Sequence, residues 1–166
     1  MGDAADEILA QWRRERPDLD VWPMGVIGRI SRLSNLLDRE FKKFFAEYGL
    51  EFWEFDVLAT LRRAGPEHGL TAGALNRAAM VTSGAITNRI DRLAARGLVE
   101  RVPSAEDRRS IRVRLTPEGR TLVDDLVGRH VDNEVRLLKA LPEPDRDDLA
   151  ALLRTLLTSL GDTTLD

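Results

Sequence analysis

Two clusters of side chains could carry more than a structural role. Thr87 and Asn88 stand side by side in the first half of a helical segment, and Arg108 and Arg109 follow Asp107 in a charged turn. An asparagine amide can bond one adenine edge in two places, and a threonine methyl can touch the methyl of thymine. Just upstream, Gly84 lets backbone approach closely, and Ser83 at a helix N-terminus can hold a phosphate. Arg89 and Arg92, further along, are spaced to reach phosphates. Guanidinium groups at a hairpin tip suit a narrow minor groove, whose negative potential attracts inserted arginine. Asp107 can pre-set an arginine fork by a bidentate pair. The bland alternative is an amphipathic surface helix followed by a solvated turn, so the elements that present these residues decide between the two.

Those elements can be read from period and punctuation. Residues 3–16 read as a short helix with Ile8, Leu9 and Trp12 on its apolar side, interrupted by Arg16-Pro17-Asp18. Pro23 suits the first turn of a long helix whose stripe runs Val26, Ile30, Leu33, Leu37, Phe41, Phe44 and Tyr48 before Gly49. A helix over 51–64 turns Phe55, Leu58, Ala59 and Leu61 inward and closes at Gly65-Pro66. Thr71 caps a short helix through Leu75 to about Ala79. Thr82 or Ser83 caps the next, which runs over 82–96 with Ile86, Ile90 and Leu93 toward the core, and Gly97 stops it. The period then changes to two. Residues 98–102 and 111–115 alternate as half-buried strands around a charged loop at 103–110. Thr116-Pro117 opens a helix to about Leu141, Pro142 and Pro144 break it, and a last helix carries Leu149, Leu152, Leu153, Leu156, Leu157 and Leu160.

The predicted class is mainly α with a small β-hairpin wing. It is a winged helix-turn-helix over 51–115, flanked by helices at 1–50 and 116–166 that form a dimerisation region. In such a module the second helix of the pair, here 82–96, enters the major groove, and the hairpin reaches toward the minor groove.

The net charge of −3 argues at first against a polyanionic partner. The average conceals Arg101, Arg108, Arg109, Arg112 and Arg114, set against only Glu106 and Asp107 in that stretch, while the C-terminal end is acidic. Local charge within a Debye length of ~8 Å is what a phosphate backbone feels. The chain has no cysteine, which excludes disulfides, thiolate nucleophiles and Cys-ligated zinc. Its two histidines, His68 in a turn and His130 mid-helix among polar residues, stand in no catalytic or metal-binding motif and are expected to be solvated. A two-His zinc site remains a weak alternative, and no enzyme activity, metal or cofactor is expected. No apolar run approaches the ~18 residues of a membrane span, and residues 1–16 lack the form of a secretory signal. The expected location is the cytoplasm.

The runs Thr82-Ser83-Gly84-Ala85-Ile86-Thr87-Asn88-Arg89-Ile90-Asp91-Arg92-Leu93, Gly97-Leu98-Val99-Glu100-Arg101, Asp107-Arg108-Arg109 and Val113-Arg114-Leu115-Thr116-Pro117-Glu118-Gly119 together resemble the MarR family of transcription regulators, over roughly residues 22–160. The resemblance implies a homodimer held by the first long helix and the last two. It also implies a pseudopalindromic site on double-stranded DNA and a repressor released by a small ligand. The family's Asp-x-Arg wing motif falls on Asp107 and Arg109. The added N-terminal helix, with Gln11-Trp12 and Arg16-Pro17-Asp18-Leu19-Asp20, is similar to that of the branch containing urate-responsive regulators. There, a Trp on that helix, an Asp on the bracing helix and an Arg before the wing are implicated in ligand response. The matching residues are Trp12, Asp56 and Arg101, which implies an anionic or aromatic effector. The branch also carries an Asn one or two turns after the Asp, where this chain has Arg62, Arg63 and Ala64. Trp12 as a core anchor and Asp56 as a cap or ion-pair partner fit the same residues. A winged helix used only for protein interaction is the competing function. It would be favoured by arginines of 101–114 engaged internally together with a covered Thr87/Asn88 face.

Overall fold

Asp3 opens the first helix. Its carboxylate accepts from the backbone N–H groups of Ala5 and Asp6 at 2.9 and 3.0 Å, and Asp6 reciprocates to the Asp3 N–H at 3.0 Å, a capping box that satisfies otherwise orphaned donors. The computed structural model describes residues 2–65, 69–80, 86–104 and 110–165. The chain divides into two compact units, Met1–Gly49 and Leu50–Asp166.

The first unit is a pair of helices, α1 (Ala4–Glu15) and α2 (Trp22–Ala46). Ala5, Leu9 and Val21 are buried, and Gly25 admits the α1 side chain, since a Cβ there would lie 3.1 Å from Leu9 Cδ1. Arg29 of α2 clamps the start of α1, donating to Asp3 at 2.9 Å and to Asp6 at 2.6 Å. That guanidinium holds the Asp3 carboxyl below the usual carboxylate range. Asp6 is lowered first by the Asp3 N–H and then by Arg29. The expected α2 stripe is only partly buried. Val26, Ile30 and Leu33 are exposed and Leu37, Phe41, Phe44 and Tyr48 half-buried, while Phe45, outside the stripe, is fully buried.

The second unit contains α3 (Phe52–Arg63), β1 (Leu70–Thr71), α4 (Ala72–Ala78), α5 (Ile86–Ala95), β2 (Val99–Pro103), β3 (Ile111–Leu115), α6 (Pro117–Leu137) and α7 (Glu143–Ser159). The strands form an antiparallel sheet in the order β1-β3-β2, with Arg101 opposite Val113 and Leu70 also opposite Val113. β1 was not expected. Two residues are too few to show alternation, and Thr71 serves both as strand end and as N-cap of α4, accepting from the Ala74 N–H at 3.2 Å. Phe55, Val57, Leu58 and Leu61 of α3 join Leu75, Ile90, Leu93, Val99, Val113, Val123 and Leu126 in the core.

The hairpin is bolted to α6 through one tight junction. Gly97 ends α5 in the left-handed region at φ 70°, which favours glycine. Thr116 caps α6, accepting from the Gly119 N–H at 3.0 Å while its hydroxyl donates to the Gly97 carbonyl at 2.7 Å. Gly119 lies so close that a Cβ would sit 1.9 Å from the Leu98 carbonyl oxygen.

α6 stops earlier than its sequence indicated. Leu138–Ala140 form a turn, and Leu141 closes it with its N–H on the Leu138 carbonyl at 3.0 Å. Pro142, which disfavours helical backbone at Leu141, becomes the N-cap of α7, and Pro144 sits in its first turn. α6 presents Val127, Val131, Val135 and Leu138 to solvent, and α7 presents Leu152, Leu153, Leu157 and Leu160. No helix among the described residues is long and apolar enough to cross a membrane.

Candidate nucleic-acid interface

α5 shows three different sides. Ile90 and Leu93 are buried, Ile86 is half-buried, and Thr87 and Asn88 are exposed, as a 3.6-residue period requires when one stripe packs inward. Ser83 and Gly84, expected at the start of this helix, lie outside the described residues, as do Asp107, Arg108 and Arg109 of the wing. Thr87 and Asn88 are therefore the described candidates for base contact, and both stand open.

The side toward the wing is held by an ion pair. Asp91 of α5 meets Arg101 of β2 at 2.7 Å. The next described arginines of the hairpin also have partners on it. Arg114 pairs with Glu100 at 2.8 Å, and Arg112 donates to the Ser104 hydroxyl at 3.1 Å. Of the described arginines read from residues 101–114, Arg101 and Arg114 are thus neutralised by carboxylates, whereas the hydroxyl that holds Arg112 is neutral and cancels no charge. The ion pairs of Arg101 and Arg114 go part of the way toward the first condition for a pure protein-interaction module, with Arg108 and Arg109 outside the described residues. The exposed Thr87 and Asn88 fail the second.

The side toward α3 is different. The guanidinium carbons of Arg89 and Arg92 lie 5.3 and 4.9 Å from the ring centroid of Trp53, within range of cation–π attraction. One turn further, Arg96 pairs with Glu54 at 2.8 Å. Glu54 also accepts from the Glu51 N–H at 2.8 Å, so a carboxylate whose side chain is only 3% exposed has two partners, as a buried charge requires. None of these partners was anticipated. Trp53 and Glu54 lie more than thirty residues from the arginines they hold, and only the register of polar positions 89, 92 and 96 on one helical stripe could have pointed to a common neighbour.

The residues matched to ligand response are distributed differently. Trp12 is on α1 in the first unit and partly exposed. Asp56 is buried in α3, and Arg101 is the partner of Asp91. His130 corrects its expected solvation. It is half-buried on α6, with its ring 5.0 Å from Phe55 in edge contact and 6.5 Å from Phe52, and its Nε2 is 3.3 Å from Glu134. Burial pushes its pKa down, and Glu134 partly opposes the shift.

A short helix, an exposed second helix and a three-stranded wing define a winged helix-turn-helix protein. The MarR family model matches residues 48–110. The chain is 45% identical to the HTH-type transcriptional regulator PecS of Dickeya dadantii over 89% of each protein. It is 30% identical to the multiple antibiotic resistance protein MarR of Escherichia coli, over 79% of this chain and 90% of that one. Among solved structures, a MarR-like regulator from Bacillus cereus covers 86% of this chain and 100% of its own at a TM-score of 0.75 and 19% identity, a likeness of fold. A mutant Escherichia coli MarR complexed with operator DNA is 28% identical with a TM-score of 0.67, over 88% of this chain and 97% of that one. The chain belongs to the MarR family and is a DNA-binding transcription regulator.

Proposed function

We propose that the protein is a ligand-responsive repressor that binds a pseudopalindromic operator as a homodimer in the cytoplasm. The helix over 82–96 enters the major groove, and the wing at 103–110 lies at the minor groove. The observation that carries this reading is the exposed pair Thr87 and Asn88 on a helix braced from both sides. The Escherichia coli MarR solved with operator DNA supports it. Dimerisation is supported by the apolar rows on α2, α6 and α7 that the described chain leaves exposed, which exceed what a stable monomer ordinarily presents. The dimerisation regions are then 1–50 and 116–166. A sedimentation mass of one chain at micromolar concentration overturns this part.

Ser83 and Gly84 are assigned to phosphate, Thr87 and Asn88 to base edges, and Arg89 and Arg92 to the flanking phosphates. Asp107, Arg108 and Arg109 are assigned to the wing contact. Trp12, Asp56 and Arg101 are assigned to effector response, and the effector is an anionic or aromatic small molecule. A relative in Bordetella bronchiseptica, 26% identical, has DNA binding regulated by 6-hydroxynicotinic acid, which supports an effector of that chemistry. Binding to the gene's own upstream DNA tests the whole reading. Asn88→Ala should lose about 1–3 kcal/mol at one operator position and little on random DNA. Equal losses on both would reduce Asn88 to a backbone contact.

A further inference from the structure

The arginines around α5 are held by two kinds of partner with opposite electrostatic consequences. A carboxylate fixes a guanidinium and cancels its charge, as Asp91 does for Arg101, Glu54 for Arg96 and Glu100 for Arg114. An aromatic face fixes a guanidinium through the ring quadrupole and leaves the full charge and the edge N–H donors available. Trp53 does the latter for two residues at once. Arg89 and Arg92 are three apart on one stripe of α5, and their guanidinium carbons lie 5.3 and 4.9 Å from the same ring centroid. Among the described residues, neither has a carboxylate partner. The ring itself is half-buried in the first turn of α3, which gives the platform a fixed position, and the Glu54–Arg96 pair beside it pins the two helices together.

We propose that Trp53 is a positioning residue for DNA binding, pre-ordering Arg89 and Arg92 as fully charged phosphate ligands on the α3 flank of the recognition helix. Long arginine side chains lose rotamer freedom when they bind. A platform that restricts them beforehand lowers that cost without removing a contact. This inference rests on the DNA-binding reading of α5 and adds a residue that acts through Arg89 and Arg92.

The test is a double-mutant cycle in the full-length chain, with affinity for the operator fragment and thermal melting measured for each variant. Arg92→Ala should weaken binding and shallow the salt dependence by about one unit. Trp53→Leu should lose about tenfold in affinity with the salt slope little changed, because the charges remain. In the Trp53→Leu background, Arg92→Ala should cost less than in the wild type, since the coupling is already gone. Trp53→Phe, which keeps a smaller aromatic face, should recover most of the affinity. If Trp53→Leu does not fold, the cycle is run with Trp53→Phe, where the coupling keeps its sign at reduced size. Strict additivity, or a Trp53→Phe variant no better than Trp53→Leu, overturns the proposal and leaves Trp53 as packing. If the wild type itself fails to bind operator DNA, it is the DNA-binding reading that falls.

Discussion

The two flanks of the recognition helix solve one problem, holding long cations in place, by unlike means. Toward the wing, Asp91 and Arg101 join α5 to β2 through a pair whose two side chains are both substantially exposed. Toward α3, one carboxylate is almost wholly buried against Arg96, and an aromatic ring carries Arg89 and Arg92. The wing flank is therefore electrically quiet and cheap to break. The α3 flank combines a costly internal charge with two cations left available to a phosphate. The structural brace and the charge available to DNA thus come from arginines on successive turns of one stripe, separated by the identity of the partner.

The largest test of this arrangement removes the junction on which the wing depends. A methyl at Gly119 collides with the Leu98 carbonyl, a backbone atom that cannot rotate away. Gly119→Ala should destabilise the fold by about 3 kcal/mol and lower Tm by roughly 10 °C for a domain of this size. Melting near the wild-type temperature would mean that α6 and the hairpin can part without cost, and the wing flank would lose its rigid base.

A smaller effect separates the two carboxylate pairs. Arg96→Ala leaves Glu54 charged and buried with only its backbone donor. The loss should be about 2 kcal/mol, below the range for a fully buried pair because the Arg96 side chain is 41% exposed and solvent screens it. Glu54→Gln should soften the loss when combined with Arg96→Ala, since no ion is then stranded. Denaturant melts of the two single variants and the double variant read this directly. A double variant no more stable than Arg96→Ala would show that packing, not charge, governs this contact.

Much of this was legible along the chain, and the boundary is physical. Thr71 and Thr116 as caps, Gly97 as a stop, the inward Ile90 and Leu93, and the two alternating strands are local features, set by neighbours a few residues away. The same holds for exposed Thr87 and Asn88, which follow from helical period once the core stripe is known. What escaped were pairings between distant segments. β1 exists only because β3 lies beside it, and Trp53 matters only because α5 crosses the start of α3. The arginines at 101 and 114 read as part of one basic patch until their carboxylate partners Asp91 and Glu100 are seen. His130 looked solvated because its sequence neighbours are polar, whereas its spatial neighbours are Phe55 and Phe52.

That histidine offers a test that involves none of the arginines of either flank. Burial lowers its folded pKa, with Glu134 partly opposing the shift, so the unfolded chain binds the proton more readily. Stability should fall as pH drops through the ordinary histidine range and be fully recovered above it. Tm followed between about pH 8 and pH 5 should decline less in His130→Gln than in the wild type. Parallel curves would remove His130 as the cause.

The smallest expected change in stability is the most informative about the comparison. The Asp91 and Arg101 side chains are 59% and 38% exposed, so Asp91→Ala should alter stability by no more than about 0.5 kcal/mol. Its effect on DNA should be visible nonetheless, because it uncovers a guanidinium on the quiet flank beside Thr87 and Asn88. Binding should tighten on operator and random DNA alike, and the salt dependence should steepen by up to about one unit. Arg101→Ala should do the reverse, leaving an unneutralised carboxylate near the phosphates. Opposite signs for these two variants, at equal and nearly unchanged Tm, would mean that the pair acts on DNA through charge alone. If both weaken binding, Asp91 and Arg101 must instead hold α5 at its proper angle to β2, and the wing flank would be as structural as the α3 flank.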